Sequence, residues 1–136
     1  VAASPSVMPR FSRGERGLTW RKNGFVDDIE TIRAELLSAA VEDLTGVYEA
    51  WWTANTLRPH LAVSARLALA EAALASLLAD GLVVLRRGSW TRQVDVAERD
   101  VDRVLREYST WTTDDEADRV FFEATPSGRL AYGLPE

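Results

Sequence analysis

Three arginines and a tryptophan near the middle of the sequence could bind an anionic or an aromatic partner: Arg86, Arg87, Trp90 and Arg92. Guanidinium groups contact phosphate oxygens and an indole stacks on nucleobases, so the set suits a nucleic acid. Arginine and tryptophan are also enriched in the hot spots of protein interfaces, so the set equally suits a protein partner. The alternative is structural: Trp90 folds back onto a following helix, and the arginines pair with Asp95 and Glu98.

A second group of basic residues lies near the beginning of the sequence: Arg10, Arg13, Arg16, Arg21 and Lys22. Such an arm could follow DNA phosphates or enter a minor groove, and the alternative is a solubilising end. Arg66 adds one basic side chain at the start of a predicted helix. These residues, with the set around Trp90, are the DNA or partner contacts that the sequence predicts.

The adjacent tryptophans Trp51 and Trp52 could form a docking surface or a ligand pocket, whereas core packing is the commoner role for at least one of them. Alanine-rich helix surfaces suit packing against another helix. We therefore assign a candidate association surface to one tryptophan and three alanines: Trp52, Ala68, Ala72 and Ala75.

Motifs for catalysis or metal binding are absent from the sequence. There is no cysteine, and His60 is the only histidine, so the nitrogen and sulfur ligands of a zinc site are lacking. The acidic runs at 27–30 and 114–118 lack the spacing of a calcium loop. No Gly-rich phosphate loop, G-x-S-x-G elbow or H-E-x-x-H motif occurs. The sequence predicts a protein without enzymatic activity, metal or cofactor.

Length and composition indicate one domain, over residues 27–136, behind an N-terminal arm or irregular lead-in at 1–26. The 136 residues are 46% hydrophobic, enough to bury one core. The formal net charge of −5 argues against general nucleic-acid affinity, although basic residues are concentrated in 1–26 and 50–92. The start of the sequence lacks a signal-peptide pattern, and the longest apolar stretch is too short to span a bilayer. We expect a cytoplasmic protein without a membrane segment.

Hydrophobic spacing predicts which elements hold these residues. Three helices are predicted in the first part of the chain. The first begins at Asp27 or Asp28, the second covers 47–55 with Thr45 as cap, and the third covers 65–79 with Ser64 as cap. The core-facing stripe of the third helix is Leu67, Ala70, Leu74, Leu77 and Leu78. Gly81 ends this helix, and the branched residues of 82–87 predict a strand.

The second half of the chain begins with a predicted turn over 88–91. Asp95 and Glu98 form a capping-box pattern for a fourth helix that reaches Tyr108. A polar loop is predicted over 109–118 and a strand over 120–124. Thr125 and Pro126 then cap a short terminal helix.

Two segments of the sequence resemble the core of bacterial winged-helix regulators of the MarR and PadR kind. They are the helix ending in Asp80-Gly81-Leu82 and the strand leading to Thr125-Pro126-x-Gly128, and the match covers about 65–87 and 121–132. The resemblance implies a mainly α (α+β) winged-helix-like domain with a small antiparallel β-hairpin wing. A helix would be inserted between the wing strands. It also implies that the helix over 65–79 is a DNA recognition helix in a bacterial transcription regulator.

The outward residues of that helix favour a different partner. Base edges are read by Arg, Lys, Asn and Gln, and the third helix offers only Arg66. Two hypotheses follow. The first is a non-enzymatic regulator that binds DNA through its basic arm and wing. The alternative is a winged-helix module used for protein association, as a homodimer or by docking to a partner, without DNA binding.

Overall fold

In this α+β protein, helices pack on one face of a small antiparallel sheet. The computed structural model describes residues 13–134, and the side chains of residues 24–134. In chain order its elements are α1 (Arg13–Glu42), β1 (Thr45–Gly46), α2 (Val47–Leu57), α3 (Val63–Ala79), β2 (Val83–Ser89), β3 (Arg92–Asp95), α4 (Val101–Arg106), β4 (Arg119–Ala124) and α5 (Pro126–Tyr132). Two 3₁₀ turns, Glu98–Asp100 and Tyr108–Trp111, flank α4. Within the described residues, no helix combines the length and apolar character needed to cross a membrane.

The four strands lie in the order β1-β4-β2-β3, and every neighbouring pair is antiparallel. The longest pairing joins the two strands that the sequence predicts, from Val83 opposite Ala124 to Gly88 opposite Arg119. The antiparallel sheet of the predicted fold class is therefore confirmed. Because successive side chains of a strand alternate between the faces, the sheet has an inner and an outer face.

The inner face of the sheet packs on the helices and forms the main core. Its members are Val83, Leu85, Val120 and Phe122, which cluster with buried residues of α1, α2 and α3. Burying a side chain of this size contributes about 1.5–3 kcal/mol each, so this cluster is the main source of stability. The outer face carries Arg86, Phe121 and Glu123.

Helix α1 begins at Arg13, so the predicted start at Asp27 or Asp28 is wrong. The helix covers 13–26 of the segment 1–26, which the sequence predicts as an arm or irregular lead-in. Its later turns are anchored by buried Ile32 and Leu36. Once a helix is nucleated, each further residue adds one hydrogen bond, so extension upstream of the anchored turns is favourable.

The predicted caps of α2 and α3 are also wrong. Thr45 pairs with Phe122 in β1, and the cap of α2 is Gly46, whose N–H donates to the Glu49 carboxylate at 2.9 Å. Helix α3 begins at Val63, before Ser64, because the Ala62 carbonyl already accepts the first helical hydrogen bond. The buried stripe of α3 comprises Leu69, Ala70, Ala73, Leu74 and Leu77. Leu67 and Leu78 are half-buried, so the predicted stripe is right in its centre only.

Strand β3 follows the turn predicted over 88–91 and includes Asp95, where the sequence predicted the start of a helix. Its Asp95 pairs with Arg86 across the strands, so the predicted capping box with Glu98 does not form. The reversal between β2 and β3 uses Gly88, whose φ of 145° is rarely open to other residues. The chain therefore enters an edge strand before it reaches a helix.

Helix α4 is shorter than predicted, and the expected loop after it is partly buried. The 3₁₀ turn Tyr108–Trp111 follows α4, leaves Tyr108 exposed and buries Trp111 in the main core. The indole N–H of Trp111 donates to the Leu105 carbonyl at 2.8 Å. The fourth helix thus ends at Arg106, and the following 3₁₀ turn directs Trp111 into the core.

The two sequence segments that resemble the winged-helix regulators contact each other in the structure. The Thr125 hydroxyl donates to the Gly81 carbonyl at 2.7 Å and accepts from the Gly128 N–H at 3.0 Å. The predicted cap of α5 by Thr125, with Pro126 in the first turn, is confirmed. This contact ties the end of α3 to the start of α5.

Candidate functional site

Arg86 lies on the outer face of β2, where carboxylates surround it. Its Nη1 donates to Glu123 Oε1 at 3.0 Å, and its Nε lies 3.5 Å from Asp95 Oδ1. The structural alternative, in which an arginine pairs with Asp95, is therefore confirmed for Arg86. A partner phosphate would have to displace these contacts.

Arg87 points to the opposite face and forms a two-pronged ion pair. Its Nε and Nη2 donate to the two carboxylate oxygens of Asp118 at 2.8 and 3.2 Å. This hydrogen bonding lowers the pKa of the Asp118 carboxyl and raises the pKa of Arg87. The partner is thus Asp118, and the expected pairing with Glu98 does not occur among the described residues.

Trp90 sits at the hairpin turn and packs on the sheet. Its ring centroid lies 4.6 Å from that of Phe121, and 44% of the residue stays exposed. The structural alternative in which Trp90 folds onto the fourth helix is wrong, because Trp90 packs on the outer face of β4. Next to it, Arg92 is exposed and makes no ion pair within residues 24–134.

A second aromatic pair lies at the neighbouring edge of the same face. Trp52 is 55% exposed and meets the buried Tyr48 ring edge-on, with centroids 4.9 Å apart. The Tyr48 ring covers Gly46, the strand partner of Phe121. The Arg119 guanidinium lies 5.2 Å from the Tyr48 ring centroid, a cation–π distance. Burial raises the pKa of the Tyr48 hydroxyl, and the charge of Glu49 adds to the effect.

These two pairs form one feature, which we call the outer aromatic patch: Tyr48, Trp52, Trp90 and Phe121. Tyr48 and Phe121 are buried, yet neither belongs to the main core cluster. The charges on the strands of this face balance, because two arginines stand beside two carboxylates: Arg86, Arg119, Asp95 and Glu123. Two further carboxylates, Glu35 and Glu49, line the surface beside Trp52. The patch is therefore aromatic, with charge-balanced strands and an acidic margin at Trp52.

The tryptophan pair divides between core and surface. Trp51 is half-buried against the main core and meets the Tyr108 ring edge-on at 6.0 Å. The prediction that at least one of the two packs in the core is confirmed. Trp52 is the one that remains at the surface.

The candidate residues of α3 do not share one open surface. Arg66 is half-buried, and its Nη1 donates to the Pro59 carbonyl at 3.2 Å. Ala68 is exposed and Ala72 is half-buried. Ala75 lines a groove beneath α4. Of these three alanines, Ala75 is the one that faces the segment between β3 and β4.

The N-terminal basic residues lie at the margin of the structure. Arg10 lies outside the described residues. Arg13, Arg16, Arg21 and Lys22 belong to the N-terminal part of α1, and their side chains lie outside the described set. Their contact role remains a prediction.

Metal-binding geometry is not found in the described residues. No group of three or more His, Cys, Asp or Glu side chains there is arranged to hold an ion. His60 is exposed in the turn between α2 and α3.

Sequence reasoning missed Tyr48 and Phe121, the buried half of the outer aromatic patch. A signal was present for one of them, because Phe121 and Phe122 are adjacent in a predicted strand and must face opposite sides. Comparisons with protein-family models, with curated proteins and with solved structures find no match to this chain. The functional argument therefore depends on the geometry of the site.

Proposed function

We propose that this protein is a non-enzymatic, winged-helix-like module that forms a homodimer through the outer aromatic patch. The observation that carries the proposal is the patch itself: two exposed tryptophans, each seated on a buried aromatic ring outside the main core. Large rigid aromatic side chains that are anchored in place are the usual hot spots of protein interfaces. A second copy of the chain would bury the exposed faces of Trp52 and Trp90.

The order of the elements supports the winged-helix part of the proposal. Helix α3 leads through Gly81 into β2, and β2 pairs with β4, as the resemblance to MarR and PadR regulators implies. The insert, residues 90–118, adds β3 and α4 between these strands. This order supports a winged-helix fold. It does not identify a partner, which depends on the chemistry of the surface.

Charge favours a second copy over a nucleic acid as the partner. The formal net charge of −5 makes two copies repel each other and also repels phosphate. The strands of the outer face are the exception, since Arg86 is matched by carboxylates there. These charge-balanced strands can meet their own copy across a twofold axis with little like-charge repulsion.

The proposal predicts reversible dimerisation that depends on Trp90. Replacing Trp90 by alanine should weaken the dimer about tenfold or more, because truncating a hot-spot aromatic costs roughly 2 kcal/mol. Trp52→Ala should weaken it as well. Sedimentation velocity over a concentration series measures both effects.

Phe25→Ala is a matched control, because Phe25 is 46% exposed, close to the 44% of Trp90, and lies outside the patch. This variant should dimerise like the wild type. A wild-type protein that stays monomeric at every concentration would contradict the proposal. Equal weakening by Phe25→Ala would exclude the patch as the interface.

DNA contact is the second candidate, and the exposed Arg92 beside Trp90 favours it. Arg86 and Arg87 are weaker candidates, because carboxylates already hold them. Under this hypothesis, mixed-sequence duplex DNA should bind at low salt, and binding should fall steeply as salt rises. Arg92→Ala should reduce the salt dependence. Fluorescence anisotropy with labelled duplex tests this, and absence of binding at low salt would remove the candidate.

A further inference from the structure

A groove of about 470 Å³ separates the C-terminal half of α3 from the insert. Its apolar walls include Leu78 of α3, Val83 of β2, and Val101 and Leu105 of α4. Small-molecule sites in proteins have volumes of about 300–1,000 Å³ and mainly apolar walls. The groove is therefore large enough for a small organic molecule.

The groove exists because the insert leaves the sheet early. Strand β3 pairs with β2 only from Arg86 onward, and the last contact is the Val96 N–H donating to the Leu85 carbonyl at 3.1 Å. The chain then passes through the 3₁₀ turn Glu98–Asp100 into α4. The edge of β2 before Arg86 consequently faces the groove instead of another strand.

The polar side chains of the groove are both acidic. Glu98 and Asp102 line it and are exposed, and no basic residue lines it. The nearby Arg103 is engaged elsewhere, at 3.4 Å from Asp100 and 3.2 Å from Glu107. The C-terminal end of α3, at Ala79, adds the partial negative charge of a helix end.

We infer that this groove binds a small lipophilic cation, an apolar body that carries an ammonium group. The apolar walls would take up the body by the hydrophobic effect. The carboxylates of Glu98 and Asp102 would attract the ammonium group and repel anions. The inference is independent of the proposed dimer, because the groove does not include the outer aromatic patch.

Three probes with one skeleton and different charges test the inference: 4-phenylbutylamine, 4-phenylbutanol and 4-phenylbutyrate. Isothermal titration calorimetry near neutral pH and at low salt should rank the amine first, the alcohol second and the carboxylate last. We expect the amine to bind about tenfold more tightly than the alcohol, equivalent to about 1.4 kcal/mol. Added salt should reduce this preference, because exposed charges are screened.

The double variant Glu98→Gln with Asp102→Asn should lose the preference for the amine and keep the affinity for the alcohol. The matched control is Glu42→Gln with Asp114→Asn, which removes two exposed carboxylates outside the groove. The control should keep the wild-type preference. The inference is overturned if no probe binds the wild type, if the amine binds no more tightly than the alcohol, or if the control loses the preference equally.

Discussion

At the scale of single residues, ion pairs decide which arginines are open to a partner. Arg86 and Arg87 look equivalent in the sequence, yet they point to opposite faces of β2 and meet different carboxylates. Arg92, a few positions away, makes no such pair among the described residues. The three arginines that lie near Trp90 in the sequence therefore have three different surroundings.

The pair between Arg87 and Asp118 makes the stability of the fold sensitive to acid. The pKa of Asp118 lies below its ordinary value of 3.8, because the carboxylate accepts hydrogen bonds from Arg87. The ionised form stabilises the folded state, so its contribution is fully present above pH 3.8. The contribution is lost as the pH falls through the lower, folded-state pKa.

We therefore expect Asp118→Asn to lower the free energy of unfolding at neutral pH and to have little effect in strong acid. The loss at neutral pH should be about 0.2–1 kcal/mol, because the pair is partly exposed. Urea unfolding over a pH series measures it. Asp114→Asn, in the same loop, is the control. A deficit of Asp118→Asn that stays constant down to the lowest pH would contradict the explanation.

At the scale of elements, one junction holds α3, β2, β4 and α5 together. Besides the contacts of the Thr125 hydroxyl, the Thr125 N–H donates to the Leu82 carbonyl at 3.0 Å. Gly128 lies directly against that carbonyl, so a side chain at this position would overlap the Leu82 backbone. Close packing thus requires the glycine of the Thr-Pro-x-Gly motif.

Gly128→Ala should destabilise the protein by roughly 1–3 kcal/mol, because the added methyl group must push the Leu82 backbone away. Alanine also restricts the unfolded chain more than glycine does, which by itself would stabilise the protein by only about 0.4–1 kcal/mol. The steric cost is larger, so the net effect on stability is a loss. Thermal or urea unfolding measures the change. Ser127→Ala, at an exposed neighbouring position, should differ from the wild type by no more than about 0.5 kcal/mol. Equal stability of the two variants would show that the junction tolerates a side chain.

This junction also indicates which elements could be predicted from the sequence. The end of α3 near Gly81 and the start of α5 at Thr125 follow from local chemistry, because glycine, threonine and proline impose their own backbone preferences. Strand β3 has no such signal. Its residues are mostly polar and exposed, and the strand forms because β2 provides a partner edge.

The candidate site was less predictable than the fold, because its contacts join distant parts of the sequence. The sequence predicts a contact role for Trp90, but the ring on which Trp90 packs belongs to β4. The carboxylate that holds Arg87 lies in a loop that sequence patterns describe only as polar. Side-chain partners of this kind depend on the sheet register, which periodicity does not determine.

In the molecule as a whole, the insert is part of the hydrophobic core and not a separate appended unit. Val104, Leu105 and Trp111 of the insert belong to the same buried cluster as Leu36 of α1 and the inner face of the sheet. A segment that places a tryptophan in the common core should unfold with the rest of the domain. The groove between the insert and α3 would then have a fixed shape.

Trp111→Phe tests this directly, since it removes the hydrogen bond to the Leu105 carbonyl and part of the buried ring. We expect a loss of about 1–3 kcal/mol in the free energy of unfolding. Hydrogen exchange under native conditions should show the same loss for amides in α3 as for those in α4, because both elements share one cluster. Phe25→Leu, at an exposed position outside the outer aromatic patch, should leave both sets of amides unchanged. Faster exchange in α4 alone would mean that the insert opens as a separate unit, and that the groove opens with it.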